Sequence, residues 1–196
     1  NAYIKHVAAY EQQAARIGLG VWMSEQTFRE IYLKAFRITS LEGRAMNAMT
    51  SYTRIGVTLS PASRELCTDF LRGECDLQGF VVTDMFDNRY IDASFPLMIM
   101  AGCDLPDGNT SAAGIFDGYA EGYANVARQM KLAAKRILYA TVHSNAMNGF
   151  DSNVVIRTVT PEWKKTLDGA KTALIIAFAV CVCAFVALTA LSARKR

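Results

Sequence analysis

The chain has 196 residues, 52% of them apolar and 20% charged, with a net charge of +3. That length holds about one domain of ordinary size, and the small, scattered positive charge, with no basic stripe interleaved with aromatics, excludes nucleic acid as a partner. The five cysteines make no framework: Cys181 and Cys183 lie in an apolar run, and Cys67, Cys75 and Cys103 are widely spaced with no CxxC pair or His partner, so they read as small buried apolar side chains, with no metal or other cofactor expected.

Patterned sequence begins at Ala2 to Ala9, directly after Asn1, with no initiator Met and no targeting segment; the chain therefore reads as a piece of a longer polypeptide. Over Ser24 to Phe36, the residues Phe28, Ile31, Tyr32, Ala35 and Phe36 recur at helical spacing, with Thr27-x-x-Glu30 as the expected capping box. Glu25, Arg29 and Glu30 read as charges on the solvated face of that helix. After Gly43, Ala45 to Tyr52 is a predicted strand, and Ser60-Pro61 opens a predicted helix that ends before Gly73.

Gly79-Phe80-Val81-Val82-Thr83-Asp84 is the most informative segment. A continuous apolar, β-branched run suits a strand buried on both faces in a parallel sheet, and this one ends in a carboxylate. Such an Asp either caps the next turn or serves a site at the carboxyl ends of the strands. A polar loop at Asp87 to Arg89, a helix from Tyr90 to Ala101 and a short strand around Cys103 to Leu105 follow. A long helix then presents Val126, Met130, Ala133, Ile137 and Leu138 on one face. Asn109-Thr110-Ser111 meets the glycosylation pattern, which is common by chance.

Ser144 to Thr160, dominated by Asn, Ser, Gly and Thr, reads as a linker. From Thr172 to Ala193 no residue is charged, and the stretch matches the roughly 20 residues that cross a bilayer core. Arg194, Lys195 and Arg196 abut its end as a dense cluster, whereas Lys164, Lys165 and Lys171 before it are mixed with Glu162 and Asp168. The positive-inside rule then predicts a single-pass protein of the cell membrane with its C-terminus in the cytoplasm and its domain outside, and Trp163 near the outer interface.

Alternating strands and helices with short connections mean parallel strands and right-handed crossovers, which either a doubly wound sheet or a (β/α)8 barrel satisfies. Only about four such units fit before the linker, so a barrel would be present as its second half. No Gly-rich phosphate loop follows any predicted strand, which disfavours a nucleotide-binding sheet. Lys5-His6, Tyr52 with Arg54, and Asp84 all fall at predicted strand ends. A cation, an imidazole, a phenol and a carboxylate converging on one face suit a sugar, whose hydroxyls need donors and acceptors; Lys5-His6 also reads as a solvated pair and Tyr52 as a core aromatic.

Lys5-His6, Ser24-Glu25-Gln26-Thr27-Phe28-Arg29-Glu30-Ile31-Tyr32-Leu33, Met49-Thr50-Ser51-Tyr52-Thr53-Arg54-Ile55, Phe70-Leu71-Arg72-Gly73-Glu74, Gly79 to Asp84, and Ala101-Gly102-Cys103-Asp104 stand in the order seen in glycoside hydrolase family 3, the β-glucosidase family. The resemblance covers about Tyr3 to Gly149. It implies an α/β chain holding the C-terminal half of a (β/α)8 barrel over residues 1–143; composition and hydropathy then give a linker and juxtamembrane segment at 144–171, the transmembrane helix at 172–193 and a basic tail at 194–196. It implies a retaining hydrolase of terminal β-linked sugars with Asp84 as nucleophile, Lys5, His6 and Arg54 among the sugar-binding residues, and Tyr52 beside the nucleophile. Asp104 matches a position near the last strand and reads as structural.

Some residues depart from the family pattern. Tyr10-Glu11-Gln12-Gln13 stands where the family often has Asn-x-Gln-Glu, Cys75-Asp76 where it usually has Trp-Gly, and the His-Phe-Pro-Gly-His-Gly run of the β-N-acetylhexosaminidase branch is absent. The family's general acid commonly comes from a second, sandwich-like domain, so the acid/base and the rest of the barrel are expected from an upstream part of the same polypeptide, leaving this chain alone inactive. A surface protein that keeps the barrel for carbohydrate binding and has lost catalysis is the alternative.

Overall fold

The structure is a computed structural model that describes residues 2–16, 19–86, 95–108, 118–149, 153–155 and 157–194. The chain divides into two compact units, Asn1–Gly149 and Phe150–Arg196.

In the first unit, β1 (Tyr3–Val7) is followed by the two-residue β2 (Gly20–Val21) and by α1, a helix over residues 25–41 whose middle stretch, Phe28–Leu33, is π-wound. Next come β3 (Asn47–Thr50), the short strands β4 (Arg54–Ile55) and β5 (Thr58–Leu59), and α2 (Glu65–Glu74), also π-wound. Then β6 (Val81–Phe86), α3 (Phe95–Ala101), β7 (Leu105–Gly108), the single turn α4 (Tyr119–Gly122) and the long α5 (Ala124–Val142) complete it. The main sheet runs β1-β3-β6-β7 with every pair parallel, so neighbours in the sheet are neighbours in chain order and a helix joins each to the next. This is an α/β fold.

The core forms where the helices meet the sheet. α2 buries Leu66, Cys67, Phe70 and Leu71 against Val7, Ala48 and Val81, while Leu33 of α1 and Met98 of α3 join the same cluster. Each such aliphatic or aromatic side chain contributes about 1.5–3 kcal/mol on leaving water. A smaller cluster of Ile99, Val126 and Ala133 fastens α3 to α5.

The amino end of β6 is pinned by polar contacts. Asn47 is fully buried and its Oδ1 accepts the Phe80 N–H at 3.0 Å, while the Gly79 N–H donates to the Met46 carbonyl at 2.8 Å. A Cβ at Gly79 would lie 2.0 Å from Asn47 Oδ1, so only glycine admits this approach. Asp104, 5% exposed, accepts the Val81 N–H at 2.8 Å, pairs with Arg72, and receives Arg136 of α5 at 2.8 Å. Arg72 also donates to the carbonyls of Leu77, Gly79 and Gly102. Strand, α2 and α5 thus share one buried carboxylate.

Several expected boundaries shift. Ser24, extended at φ −68° and ψ 153°, is the cap of α1, its Oγ accepting the Thr27 N–H, so Thr27 lies inside the helix. Ser60–Ala62 is a single 3-10 turn, and α2 starts after it with Gly73 in its last turn. The strand expected at 45–52 shortens to β3, and the one around Cys103 to Leu105 begins only at Leu105, because Cys103 and Asp104 are buried in the turn beneath β6. Leu138 is 64% exposed rather than on the packed face of α5. Cys67, Cys75 and Cys103 are buried free thiols, and burial pushes the first two up to about 12 and about 11 and the third well above its ordinary value. The Asp87 to Arg89 loop, Asn109-Thr110-Ser111 and the first half of the helix expected from Tyr90 lie outside the described residues.

In the second unit, α6 (Glu162–Ala193) is one helix of 32 residues, about 48 Å long at 1.5 Å per residue. It is long and apolar enough to cross a membrane, with a mean hydropathy of 2.9 over its most apolar window.

Removing the Asp104 carboxylate leaves two guanidiniums and a strand N–H without their partner. Asp104→Ala is expected to lower the unfolding free energy of the protein by about 3–5 kcal/mol, read from urea titration. Glu74→Ala, which breaks only the exposed pair with Arg29, leaves the midpoint near that of the parent.

Candidate active site

The loops that follow β1 and β3 are stitched together by small polar side chains. Ser51 Oγ donates to the Ala8 carbonyl at 3.0 Å and Thr53 Oγ1 to the Ala9 carbonyl at 3.1 Å, while the Ser51 N–H donates to the Val7 carbonyl at 2.9 Å. Ser60 Oγ closes the set on the Thr53 carbonyl at 2.7 Å. Ser51, Thr53 and Ser60 are all buried, so these bonds form in low dielectric and fix the strand ends against each other. Tyr10 and Tyr52 project from the two stitched loops.

Between them, beside the end of β6, lies a cleft of about 410 Å3 lined by Lys5, His6, Tyr10, Glu11, Gln13, Arg16, Phe36, Tyr52, Asp84 and Met85. Asp84 Oδ1 accepts the Met85 N–H at 2.8 Å, and its Oδ2 faces His6 Nε2 at 3.4 Å. The Asp84 side chain is 14% exposed. Tyr52 donates its hydroxyl to the Met85 carbonyl. Tyr10 meets His6 edge-on at 4.9 Å and Tyr52 at 6.0 Å, and the Arg16 guanidinium sits 5.9 Å from the Tyr10 ring centre and 5.7 Å from that of Tyr52. Gln13 braces this loop, its Nε2 donating to the Tyr10 carbonyl and its Oε1 accepting from Arg16, each at 2.8 Å.

Burial lowers the His6 imidazole from its ordinary 6.5; Asp84 opposes that shift, and Lys5 and Arg16 add to it. Tyr10 is raised, first by burial and then by Asp84, and Tyr52 is raised to about 12 for the same two reasons. Near neutral pH the cleft thus presents a neutral imidazole and two protonated phenols beside the carboxyl groups of Asp84 and Glu11, with Lys5 and Arg16 flanking them. Donors and acceptors on a common wall can bind hydroxyls and hold a nucleophile.

Of the residues expected from sequence, Asp84, Lys5, His6 and Tyr52 share this cleft. Arg54 does not join them: it lies on β4, donates to the Val57 carbonyl at 3.2 Å, and lines a different recess of about 480 Å3 with Leu59, Arg64 and Leu97. The β4 to β5 hairpin turns it away. Sequence reading missed Arg16 and the inward placement of Tyr10, because both stand in an irregular loop where no period marks which side chains face inward. Among the described residues, no group of three or more His, Cys, Asp or Glu is placed to hold a metal ion.

No family model matches the chain. It is 39% identical over 83 residues to beta-glucosidase B of Emericella nidulans, a match covering 42% of this chain and 10% of that protein. To a beta-glucosidase of Ruminococcus albus it is 29% identical over 154 residues, 74% of this chain and 16% of that one. A glycoside hydrolase family 3 beta-glucosidase structure from Bifidobacterium adolescentis superposes with a TM-score of 0.63 at 24% identity, over 79% of this chain and 22% of that chain. The chain spans at most about a fifth of the length of these proteins. The likenesses support glycoside hydrolase family 3 as its family.

If burial governs His6, its NMR titration in the folded protein has a midpoint below 6.5. Asp84→Asn deletes the influence that raises it and moves the midpoint lower still. Because the folded state resists protonation more than the unfolded chain, this group's stabilisation is complete above pH 6.5 and is lost as pH falls below it toward the folded value. A midpoint that rises in Asp84→Asn contradicts the assignment.

Proposed function

We propose that this chain belongs to a retaining β-glycosidase of the β-glucosidase type, in which Asp84 attacks the anomeric carbon of a terminal nonreducing β-linked sugar. The observation that carries the reading is the placement of Asp84 in the carboxyl-terminal half of the parallel strand β6, two residues before its end at Phe86, in a cleft it shares with Lys5, His6 and Tyr52. Its carboxylate faces the His6 imidazole at 3.4 Å, and Lys5 and Arg16 line the same cleft. Lys5 and His6 bind sugar hydroxyls, with Tyr52 beside them holding the backbone at Met85. The described fold supplies no further strand beyond four in the main sheet, in uninterrupted chain order, which favours the second half of a (β/α)8 barrel over a doubly wound sheet, where the order reverses at a switch point.

Retention needs a second carboxyl about 5 Å away that stays protonated until it delivers its proton to the leaving oxygen. Glu11 lines the cleft but is exposed, and a general acid is made by burial that raises its pKa. We therefore assign the acid/base, with the rest of the barrel, to a part of the polypeptide outside residues 1–196. α6 serves as a single membrane anchor; the dense Arg194 to Arg196 cluster favours a cytoplasmic C-terminus and an outward-facing domain that meets extracellular glycans.

A 2-deoxy-2-fluoro β-glucoside with a good leaving group slows breakdown of the covalent intermediate. Incubated with the complete polypeptide and mapped by peptide mass, it is expected to leave the fluorosugar on the Asp84 peptide. Adduct on another carboxylate with Asp84 untouched overturns the reading.

A further inference from the structure

The Tyr10 phenol is buried in the cleft with no assigned task. Tyr10 is 8% exposed, and its Oη meets no hydrogen-bond partner. Buried hydroxyls left unpaired are rare, because each forfeits its bonds to water and gains nothing in return. The ring has little freedom to turn away: His6 and Tyr52 meet it edge-on, Arg16 covers its face, and Gln13 holds its backbone carbonyl.

Asp84 has the complementary vacancy. Its Oδ1 takes the Met85 N–H, whereas Oδ2 has only His6 Nε2 at 3.4 Å, longer than the roughly 2.7–2.9 Å of a charge-assisted bond. Asp84 and Arg16 act on the titration of Tyr10 both by charge and through side-chain hydrogen bonding, which places the phenol beside the carboxylate although no bond of ordinary length and angle joins them. Burial and Asp84 together keep that phenol protonated, so it can only donate toward an anion. Tyr52, by contrast, has its hydroxyl proton committed to the Met85 carbonyl.

We propose that Tyr10, rather than Tyr52, is the positioning residue that donates a phenol hydrogen bond to Asp84 Oδ2 when substrate closes the cleft. The bond aims Oδ1 at the anomeric carbon and stabilises the carboxylate both before attack and as it departs from the glycosyl-enzyme. Tyr10 acts through Asp84, so the inference rests on Asp84 being the nucleophile.

The test uses the complete polypeptide and the pH profile of kcat/KM for an aryl β-glucoside. Tyr10→Phe keeps the ring and deletes the proton, and it is expected to move the acid limb up by about one pH unit. Placing 3-fluorotyrosine at position 10, a stronger donor of nearly the same shape, moves that limb down, and Tyr52→Phe moves it less than Tyr10→Phe does. If Tyr10→Phe does not fold, as judged by its melting curve, the fluorotyrosine protein decides alone. An unmoved limb in the Tyr10 proteins, or a larger shift in Tyr52→Phe, overturns the inference while fluorosugar labelling of Asp84 still stands. Labelling elsewhere, or no labelling and no turnover, overturns the nucleophile assignment itself and this inference with it.

Discussion

The buried carboxylate of Asp104 is the constraint on which the position of β6 depends. It takes the Val81 N–H at the start of that strand and neutralises guanidiniums from α2 and α5. Arg72 extends the tie to the carbonyls of Leu77, Gly79 and Gly102, the residues that lead into β6 and β7. Burying three charges is costly unless each is paired and hydrogen-bonded. Here the arrangement fixes the register of a strand whose other end carries Asp84, so a purely structural ion cluster at the amino end of β6 sets the geometry of the cleft at its carboxyl end.

The cleft is built on the same principle with opposite polarity of effect. Ser51 and Thr53 bond to the Ala8 and Ala9 carbonyls and Ser60 to the Thr53 carbonyl, which holds two loops together, and the aromatic rings they carry remove water from around Asp84. Desolvation lowers His6 and raises Tyr10 and Tyr52, so all three are neutral hydrogen-bonding groups near neutral pH. Lys5 and Arg16 supply the positive potential that an isolated carboxylate requires.

The strand that carries Asp84 was legible because a continuous β-branched run after a glycine has one good use in a parallel sheet, although it continues past Asp84 to Phe86, and Gly79 proves to be the residue that Asn47 requires there. Lys5-His6 was expected at a strand end, whereas both lie inside β1, which continues to Val7. Arg54 was placed with Tyr52 at a predicted strand end and within the same family block, but β3 stops at Thr50 and Arg54 opens the separate strand β4, whose hairpin turns at Gly56 with φ +61°. Asp104 was readable as structural, yet its partners were not, since Arg72 and Arg136 meet it only through tertiary packing. Tyr10 entered as a departure from a motif, and only its burial against His6 and Tyr52 gives that departure a chemical meaning.

A chain that spans at most about a fifth of the length of its relatives can carry a nucleophile without carrying the whole reaction. The most direct measurement is chemical rescue of the complete polypeptide bearing Asp84→Gly. With an activated aryl β-glucoside and added azide, an external anion takes the place of the missing carboxylate and attacks from the same side. The account predicts that hydrolysis is lost and that azide restores turnover with the α-glycosyl azide as product. Undiminished hydrolysis in Asp84→Gly, or rescue that yields the β-glycosyl azide, contradicts it.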